Sequence, residues 1–493
     1  MKTGLQQHLK LPAKKQFDSQ ANWILLIHYP AQKKIFAELP YRDAFLARLK
    51  CIGRKKSDTS PITLDLPNTS GSHISLASIE TTITNFDLLT LARKLVDEHK
   101  AHEPEQLGIV IAGFEKNDTE RMAESIITAA LATTAELPRF KSRNESKKYI
   151  KRIHLYGARI SHGFKQTFAE AEGNALARSL SMLPANKLTP TDYLKQIRQL
   201  ARENKWKLEF YDTNALKKKK AGAFLAVAQG SPTADAGIVR LQYKPSSVTR
   251  NGKLILVGKG ICYDTGGTNL KPANYMFGMH EDMQGSAVAL GTLLALTRVQ
   301  YKYPVECWMA IATNHIGPKA YKPNDVITAA DGTTIEIVHT DAEGRMVLAD
   351  TLILASRQKP KLIIDFATLT GACIYSLGTA YSGVFTNKDA WIPTLVQAGR
   401  DSGERVWPFP MDEDYDKLIE SEIADIKQCS RESGADHILA ARFLQRFVKN
   451  ETPWIHIDLS SSNRKGGLAH IPTETTGFGI RYSLNLLLKK KVI

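Results

Sequence analysis

Cysteine is scarce in this 493-residue chain. The five that occur (Cys51, Cys262, Cys307, Cys373, Cys429) are scattered and odd in number, without metal-finger spacing. That pattern excludes a disulfide framework and a zinc finger, and a reducing, cytoplasmic setting is the expectation. Long apolar runs are missing: none approaches the roughly 20 residues a membrane-spanning helix needs, so no membrane partner is expected. The N-terminal stretch Met1-Lys-Thr-Gly-Leu-Gln-Gln-His-Leu-Lys10 lacks the apolar core of a signal peptide. Nucleotide-binding glycine signatures fail as well, because Gly258-x-Gly260 has no third glycine and Gly-x-x-x-x-Gly-Lys-Ser/Thr does not occur. Acidic residues are in deficit, 50 Asp and Glu against 66 Lys and Arg, for a formal charge of +16. Much of the excess sits in runs such as Lys217–Lys220 and Lys489–Lys491, which read first as solvated faces. A DNA-binding accessory or regulatory protein stays open as the alternative, with weak non-specific DNA contact, although no helix-turn-helix or finger supports it.

What is present is an ordinary core. Hydrophobic residues make up 43% and charged residues 24%, and the length suits two domains. Residues 1–163 read as a small α/β domain for assembly or regulation. Trp23–Tyr29, Leu107–Gly113 and Arg152–Gly157 are its buried-strand runs, with a helix over Arg121–Leu137. Residues 164–190 read as a linking helix, rich in alanine, closed by Leu183-Pro-Ala-Asn186. From 191 to 493 strands alternate with helices: Trp206–Tyr211, Phe224–Ala228, Ile238–Tyr243, Leu254–Val257, Val305–Thr313, Leu362–Leu369 and Trp454–Leu459. The expected fold is α/β, the larger domain built on a mixed central sheet flanked by helices. Sites in such sheets gather beyond the C-terminal ends of the strands.

Two clusters of charge fall there. The first is His339-Thr-Asp-Ala-Glu-Gly-Arg345, after the strand-like Thr333–Val338 and before the apolar helix Met346–Ala355. On an extended backbone Asp341, Glu343 and Arg345 would share a face. Such charge at the mouth of a core needs counter-charge, which divalent cations and an anionic ligand would supply. An ion-pair cluster is the plain alternative. The second is Leu254 to Lys271, where a buried strand delivers Lys259, then Asp264, then Gly266-Gly267, then Lys271; Asp282 follows, just before the apolar helix Ser286–Val299. Singly, each residue fits a structural ion pair better than a ligand. Four acids and three bases at successive strand ends point to a site.

These segments resemble the leucyl aminopeptidase family of two-metal exopeptidases. Thr340-Asp-Ala-Glu-Gly-Arg345 is similar to its signature Asn-Thr-Asp-Ala-Glu-Gly-Arg-Leu, and Gly258 to Lys271 resembles its other metal-binding stretch. Leu183-Pro-Ala-Asn186, Ile364-Asp-Phe-Ala-Thr-Leu-Thr-Gly-Ala372 and Thr476-Gly-Phe-Gly-Ile-Arg481 also match, so the likeness spans roughly residues 165–485. Three departures stand out: His339 for the usual Asn, Cys262-Tyr-Asp-Thr265 for Thr-Phe-Asp-Ser, and His280-Glu-Asp282 for Lys-Tyr-Asp. None removes a residue the family uses for metal or catalysis.

The resemblance implies that Lys259, Asp264, Asp282 and Glu343 hold one divalent ion, and Asp264, Asp341 and Glu343 the other. Oxygen ligands suit Mn²⁺ and also Zn²⁺. Two ions about 3.5–4 Å apart would activate water and polarise a carbonyl. Lys259 must bind as the neutral amine, and Lys271 stays charged to face the developing oxyanion. Arg345, with the backbone at Leu369, would hold a bicarbonate ion as general base. Met279, Thr368 and Gly371 match the pocket for the first side chain, which implies leucine-like or methionine-like residues at a free peptide N-terminus. A homohexamer is implied, and an inactive scaffold is disfavoured. Cys262 reads as packing, and His339 as a hydrogen-bonding neighbour of Asp341.

Overall fold

The computed structural model describes residues 3–52, 60–142, 149–245, 252–432 and 434–492. The chain divides into two compact units. The first comprises residues 1–171 with 465–474, the second 172–464 with 475–493. No described helix is long and apolar enough to cross a membrane.

The first unit is built on a six-stranded sheet: β1 (Gly4–His8), β2 (Asn22–His28), β3 (Ile62–Asp65), β4 (His73–Ile79), β5 (Gln106–Ala112) and β6 (Arg152–Tyr156), in the order β1-β6-β5-β2-β4-β3. Only β3 runs antiparallel to its neighbour. Between their ends the central strands β2 and β5 are apolar because both faces are covered. Ile24, Leu26, Ile109 and Ile111 face the helices Asn85–Asp97 and Lys116–Thr133. Trp23, Leu25, Ile27 and Val110 face Phe17, Phe36 and Phe45 on the other side. The helix read over Arg121–Leu137 begins and ends earlier, at Lys116 and Thr133.

The second unit carries β7 (Lys207–Asp212), β8 (Gly237–Tyr243), β9 (Leu254–Asp264), β10 (Val305–Asn314), β11 (Val326–Thr328), β12 (Thr334–Glu336), β13 (Leu362–Ala367), β14 (Ser382–Thr386), β15 (Val406–Pro408), β16 (Ile426–Lys427) and β17 (Trp454–Asp458). Eight form one sheet, β15-β14-β17-β13-β9-β10-β8-β7, and β11-β12-β16 form a small second one. The centre, β17-β13-β9-β10, is parallel, and antiparallel partners flank it. This is the mixed sheet expected from the alternation of elements.

Helices close both faces of that centre. On one side the helix Gln284–Arg298 presses on β9 so closely that a Cβ at Gly258 would lie 2.4 Å from the Ser286 Cα. The glycine beside Lys259 therefore serves helix packing and not a phosphate. On the other side lies the helix Glu343–Ser356, buried along its whole length, and a Cβ at Gly344 would lie 2.7 Å from the Lys259 Cε. Lys259 threads through that gap.

Two local readings change. Phe224–Ala228 belongs to a helix, Gly222–Ala228, not a strand. A short apolar run carries no decisive period, and four alanines across 221–228 favour helix. Its Phe224 N–H donates to Asp350 at 2.8 Å, which ties it to the helix beneath. The strand before the acidic motif is only β12, and the backbone turns at 339–342 before entering a helix at Glu343. Asp341, Glu343 and Arg345 are thus not on one extended face.

Candidate active site

The site lies at the C-terminal ends of the parallel strands. β9 delivers Lys259 inside the strand and Asp264 at its tip. β10 ends at Asn314, whose Nδ2 donates to Asp264 Oδ1 at 2.8 Å and to the Thr340 carbonyl at 3.1 Å. That one amide fixes both acidic segments against each other. The Gly266 N–H also donates to Asp264 Oδ1, at 2.9 Å. Asp282 follows a short 3-10 turn over Met279–Glu281, and Thr368 Oγ1, past the end of β13, donates to it at 2.7 Å.

Glu343 is the first residue of its helix, where the helix dipole favours a carboxylate. Two residues along a helix turn a side chain by about 200°. That is why Glu343 reaches the acidic cluster while Arg345 points elsewhere. Asp264, Asp341 and Glu343 each place a carboxylate oxygen within 4.8 Å of the others. Lys259 Nζ lies 2.8 Å from Asp282 and 2.9 Å from Glu343, and it donates to the Thr368 carbonyl at 3.0 Å. Lys271 Nζ lies 2.9 Å from Asp264 and 2.5 Å from Asp341. All five residues expected as metal ligands therefore meet, and Lys271 joins them.

The charges do not balance. Four carboxylates face two ammonium groups, so burial pushes the carboxyls of Asp282, Asp341 and Glu343 up, with like-charge neighbours adding to it. Burial alone would lower Lys259 and Lys271; the surrounding carboxylates reverse this and hold both well above the usual range. Asp282 Oδ2 and Glu343 Oε2 are buried without a hydrogen-bond partner among the described residues. Hard oxygen donors, surplus negative charge and two unpartnered buried oxygens fit divalent cations.

Arg345 is 2% exposed and gives both Asp436 oxygens a bond from Nη2, at 2.8 and 3.0 Å, with Nη1 on the Gln428 carbonyl at 3.2 Å. The Leu369 N–H donates to Asp458 Oδ1 at 3.1 Å. Both groups expected to hold bicarbonate thus already face chain carboxylates. Asp436 and Asp458 were missed in the sequence. Asp436 looks like an ordinary first-turn acid of the helix Asp436–Phe447, and Asp458 like the end of an apolar strand. Cys262 is buried and its thiol is pushed up by burial, so it packs and does not attack. His339 Nδ1 accepts the Asp341 N–H at 3.3 Å, and burial lowers its pKa.

These residues open into a cleft of about 1080 Å³ whose walls include Met279, Thr368, Leu369, Gly371 and Asp436. A model of the cytosol aminopeptidase family, catalytic domain, matches residues 175–484. The chain belongs to the cytosol aminopeptidase family. A probable cytosol aminopeptidase of Wolbachia pipientis wMel is 38% identical over 383 residues, covering 75% of each chain. One from Ehrlichia ruminantium (strain Welgevonden) is 35% identical over 412 residues, covering 80% of this chain and 82% of its own. Among solved structures, a mutant of tomato leucine aminopeptidase superposes with a TM-score of 0.86 at 25% identity, covering 99% of this chain and 97% of its own. A bottromycin maturation enzyme, BotP, in complex with Mn gives 0.82 at 27% identity, covering 96% and 100%. As a cytosol aminopeptidase family member this chain is a hydrolase acting as a peptidase, with the leucine aminopeptidase fold.

Proposed function

We propose that the chain is a metal-dependent exopeptidase that releases leucine-like residues from peptides with a free N-terminus. The observation that carries this reading is the buried acidic cluster, three carboxylates within 4.8 Å of one another beside two unpartnered carboxylate oxygens. Lys259, Asp264, Asp282 and Glu343 would hold one divalent ion, and Asp264, Asp341 and Glu343 the other, with Mn²⁺ and Zn²⁺ the candidates. When bound, such a pair supplies an activated water and a polarised scissile carbonyl. Lys259 would have to give up its proton to serve as a ligand, against the carboxylates that now hold it. Lys271 keeps its proton and offers positive charge to the carbonyl oxygen as it becomes an oxyanion. Met279, Thr368 and Gly371 receive the first side chain, and the cleft beyond them takes the rest of the peptide.

A proton must also leave the attacking water, and Arg345 is the seat of the anion that takes it. Bicarbonate held by Arg345 and the Leu369 amide is the external form of that anion. Asp436 is a second reading for the same role, favoured by its two bonds to Arg345 and its place on the cleft wall. Hydrolysis measured with and without bicarbonate in carbon-dioxide-depleted buffer separates the two. The first unit is proposed to serve assembly, in a homohexamer working in the cytoplasm. DNA binding gains nothing from the relatives. The charge of +16 supports only weak retention that vanishes as salt rises.

The test is hydrolysis of Leu-p-nitroanilide by the purified chain with Mn²⁺, with Zn²⁺ and after chelation. Activity should need the metal and should disappear on N-acetyl-leucine substrates. Turnover of the acetylated substrate would overturn the exopeptidase reading.

A further inference from the structure

A second group of metal-ligating side chains lies within the first unit. His73 opens β4, His99 follows the helix Asn85–Asp97, and His102 closes a short 3-10 turn over Lys100–His102. One ring nitrogen from each lies within 4.8 Å of the others. The rings meet edge to face: His73 and His99 at 5.1 Å and 77°, His73 and His102 at 4.5 Å and 72°.

Hydrogen bonds hold all three rings in place. His73 Nδ1 lies 2.7 Å from Asp65 Oδ1, on the residue directly opposite in the β3–β4 ladder. His99 Nδ1 and His102 Nδ1 lie 3.0 and 3.3 Å from the same acceptor, Asn22 Oδ1. Asn22 is itself paired opposite His73 in the β2–β4 ladder. The Asp65 carboxylate at His73 Nδ1 puts that ring's proton there and leaves its Nε2 as the lone-pair nitrogen. Next to His99 Nε2, at 3.0 Å, is Ser75 Oγ, which donates its proton to the Leu95 carbonyl at 2.9 Å. His73 Nε2 is buried and has no hydrogen-bond partner among the described residues. A buried acceptor left unmet is costly, so something is expected to meet it.

We propose that His73, His99 and His102 form a zinc-type metal site, each through one ring nitrogen. A histidine ligand normally donates its other N–H to a carboxylate or carbonyl oxygen, which fixes the ring and raises its basicity. Asp65 supplies that carboxylate to His73. Neutral imidazoles suit Zn²⁺ and its neighbours Co²⁺ and Ni²⁺, and disfavour Mg²⁺ or Ca²⁺, which need oxygen. Bonds of about 2.0–2.1 Å require the three nitrogens to close in slightly, which the exposed His102 turn can accommodate. Water from the His102 side completes four-coordination. The ion would tie the start of β4 to the segment that follows the helix, a staple inside the first unit and no part of peptide hydrolysis.

The experiment counts Zn²⁺ bound per chain after stripping and equilibrium dialysis, for wild type and for His102→Ala. Because His102 is exposed, its removal should leave the fold intact, and far-UV circular dichroism checks this. His102→Ala should bind about one Zn²⁺ fewer and keep the wild-type rate on Leu-p-nitroanilide. Zinc should also raise the melting temperature of wild type more than that of the variant. In the Co²⁺-loaded protein, wild type minus His102→Ala should leave the visible absorption of a tetrahedral histidine site. Equal zinc counts in the two proteins would overturn the proposal, whatever the activity.

Discussion

The acidic cluster of the second unit and the histidine trio of the first bury potential ligands by opposite routes. The acids come with their own counter-ions. Lys259 and Lys271 each bridge two carboxylates, yet negative charge is left over and three carboxyls are pushed up. The histidines come with a single carboxylate, Asp65 at His73 Nδ1, and with no lysine among their hydrogen-bond partners in the described residues. Burial, with His73 and His102 as neighbours, drives the His99 pKa down to about 3. A cation entering the acidic cluster must compete with two resident ammonium groups, one of which has to lose its proton. A cation meeting the histidines has no lysine to displace among their hydrogen-bond partners in the described residues. Charged side chains therefore give the acidic site electrostatic force and something to titrate, which suits chemistry, while neutral rings suit a fixed structural role.

The largest effect should come from removing an acid. Glu343→Gln or Asp341→Asn takes a carboxylate that no neighbour can replace, and hydrolysis should fall by about 10³-fold or more with unfolding unchanged. Activity within tenfold of wild type would break the comparison at its root. The two lysines come next. Lys271→Ala should lower kcat by about 10²–10³-fold, the usual loss for one oxyanion donor, with metal content kept. Lys259→Ala should instead lower metal content, and excess metal should partly restore the rate. Arg at 259 should not help, since guanidinium does not give up its proton. Metal loss in Lys271→Ala with full occupancy in Lys259→Ala would reverse the two roles.

A smaller effect separates the anions at Arg345. If Asp436 takes the proton, Asp436→Asn should lower kcat by about 10–10²-fold, added bicarbonate should restore it, and wild type should ignore bicarbonate. Dependence of wild type on bicarbonate, with Asp436→Asn unimpaired, would instead favour the external ion.

How much of this could be read beforehand follows from what each signal depends on. The strands β2, β5, β9, β10 and β13 were legible because unbroken apolar runs of that length have few other uses. The acidic residues were legible because buried charge at strand ends is expensive and therefore conspicuous. The geometry of 339–345 was not: period-two reasoning placed Asp341, Glu343 and Arg345 on one face, whereas a turn and a helix start separate Arg345 from the acids. Asp436 and Asp458 were invisible for a different reason. Their meaning lies in Arg345 and Leu369, which are distant in sequence, and nothing local marks them. The histidine trio was hidden in the same way, its members brought together only when the segment after the helix Asn85–Asp97 packs beside the start of β4.

The smallest effect sharpens the comparison by removing both kinds of compensation. Asp350, on the helix that starts at Glu343, is buried with neither lysine nor imidazole as hydrogen-bond partner among the described residues; its two oxygens accept the Phe224 and Ala330 N–H groups, at 2.8 and 2.7 Å. Burial outweighs its backbone bonds and pushes its carboxyl up to about 7 from an ordinary value of 3.8. The folded state therefore holds a proton that the unfolded chain has released throughout that interval. Its contribution to stability is full below pH 3.8 and is lost as pH rises through 7. One proton corresponds to a slope of about 1.4 kcal/mol per pH unit at most, and the partial solvation of real interiors makes a smaller slope the expectation. Asp350→Asn cannot titrate, so the difference in urea midpoint between wild type and variant isolates the group and cancels titrations common to both. The variant forfeits one acceptor and should be the weaker protein near pH 5. The gap should narrow towards pH 8 as the wild-type carboxyl ionises without a counter-ion. A gap that stays constant between pH 5 and 8 would show that backbone N–H groups suffice to hold a buried carboxylate, and that the lysines of the acidic cluster are there for chemistry alone.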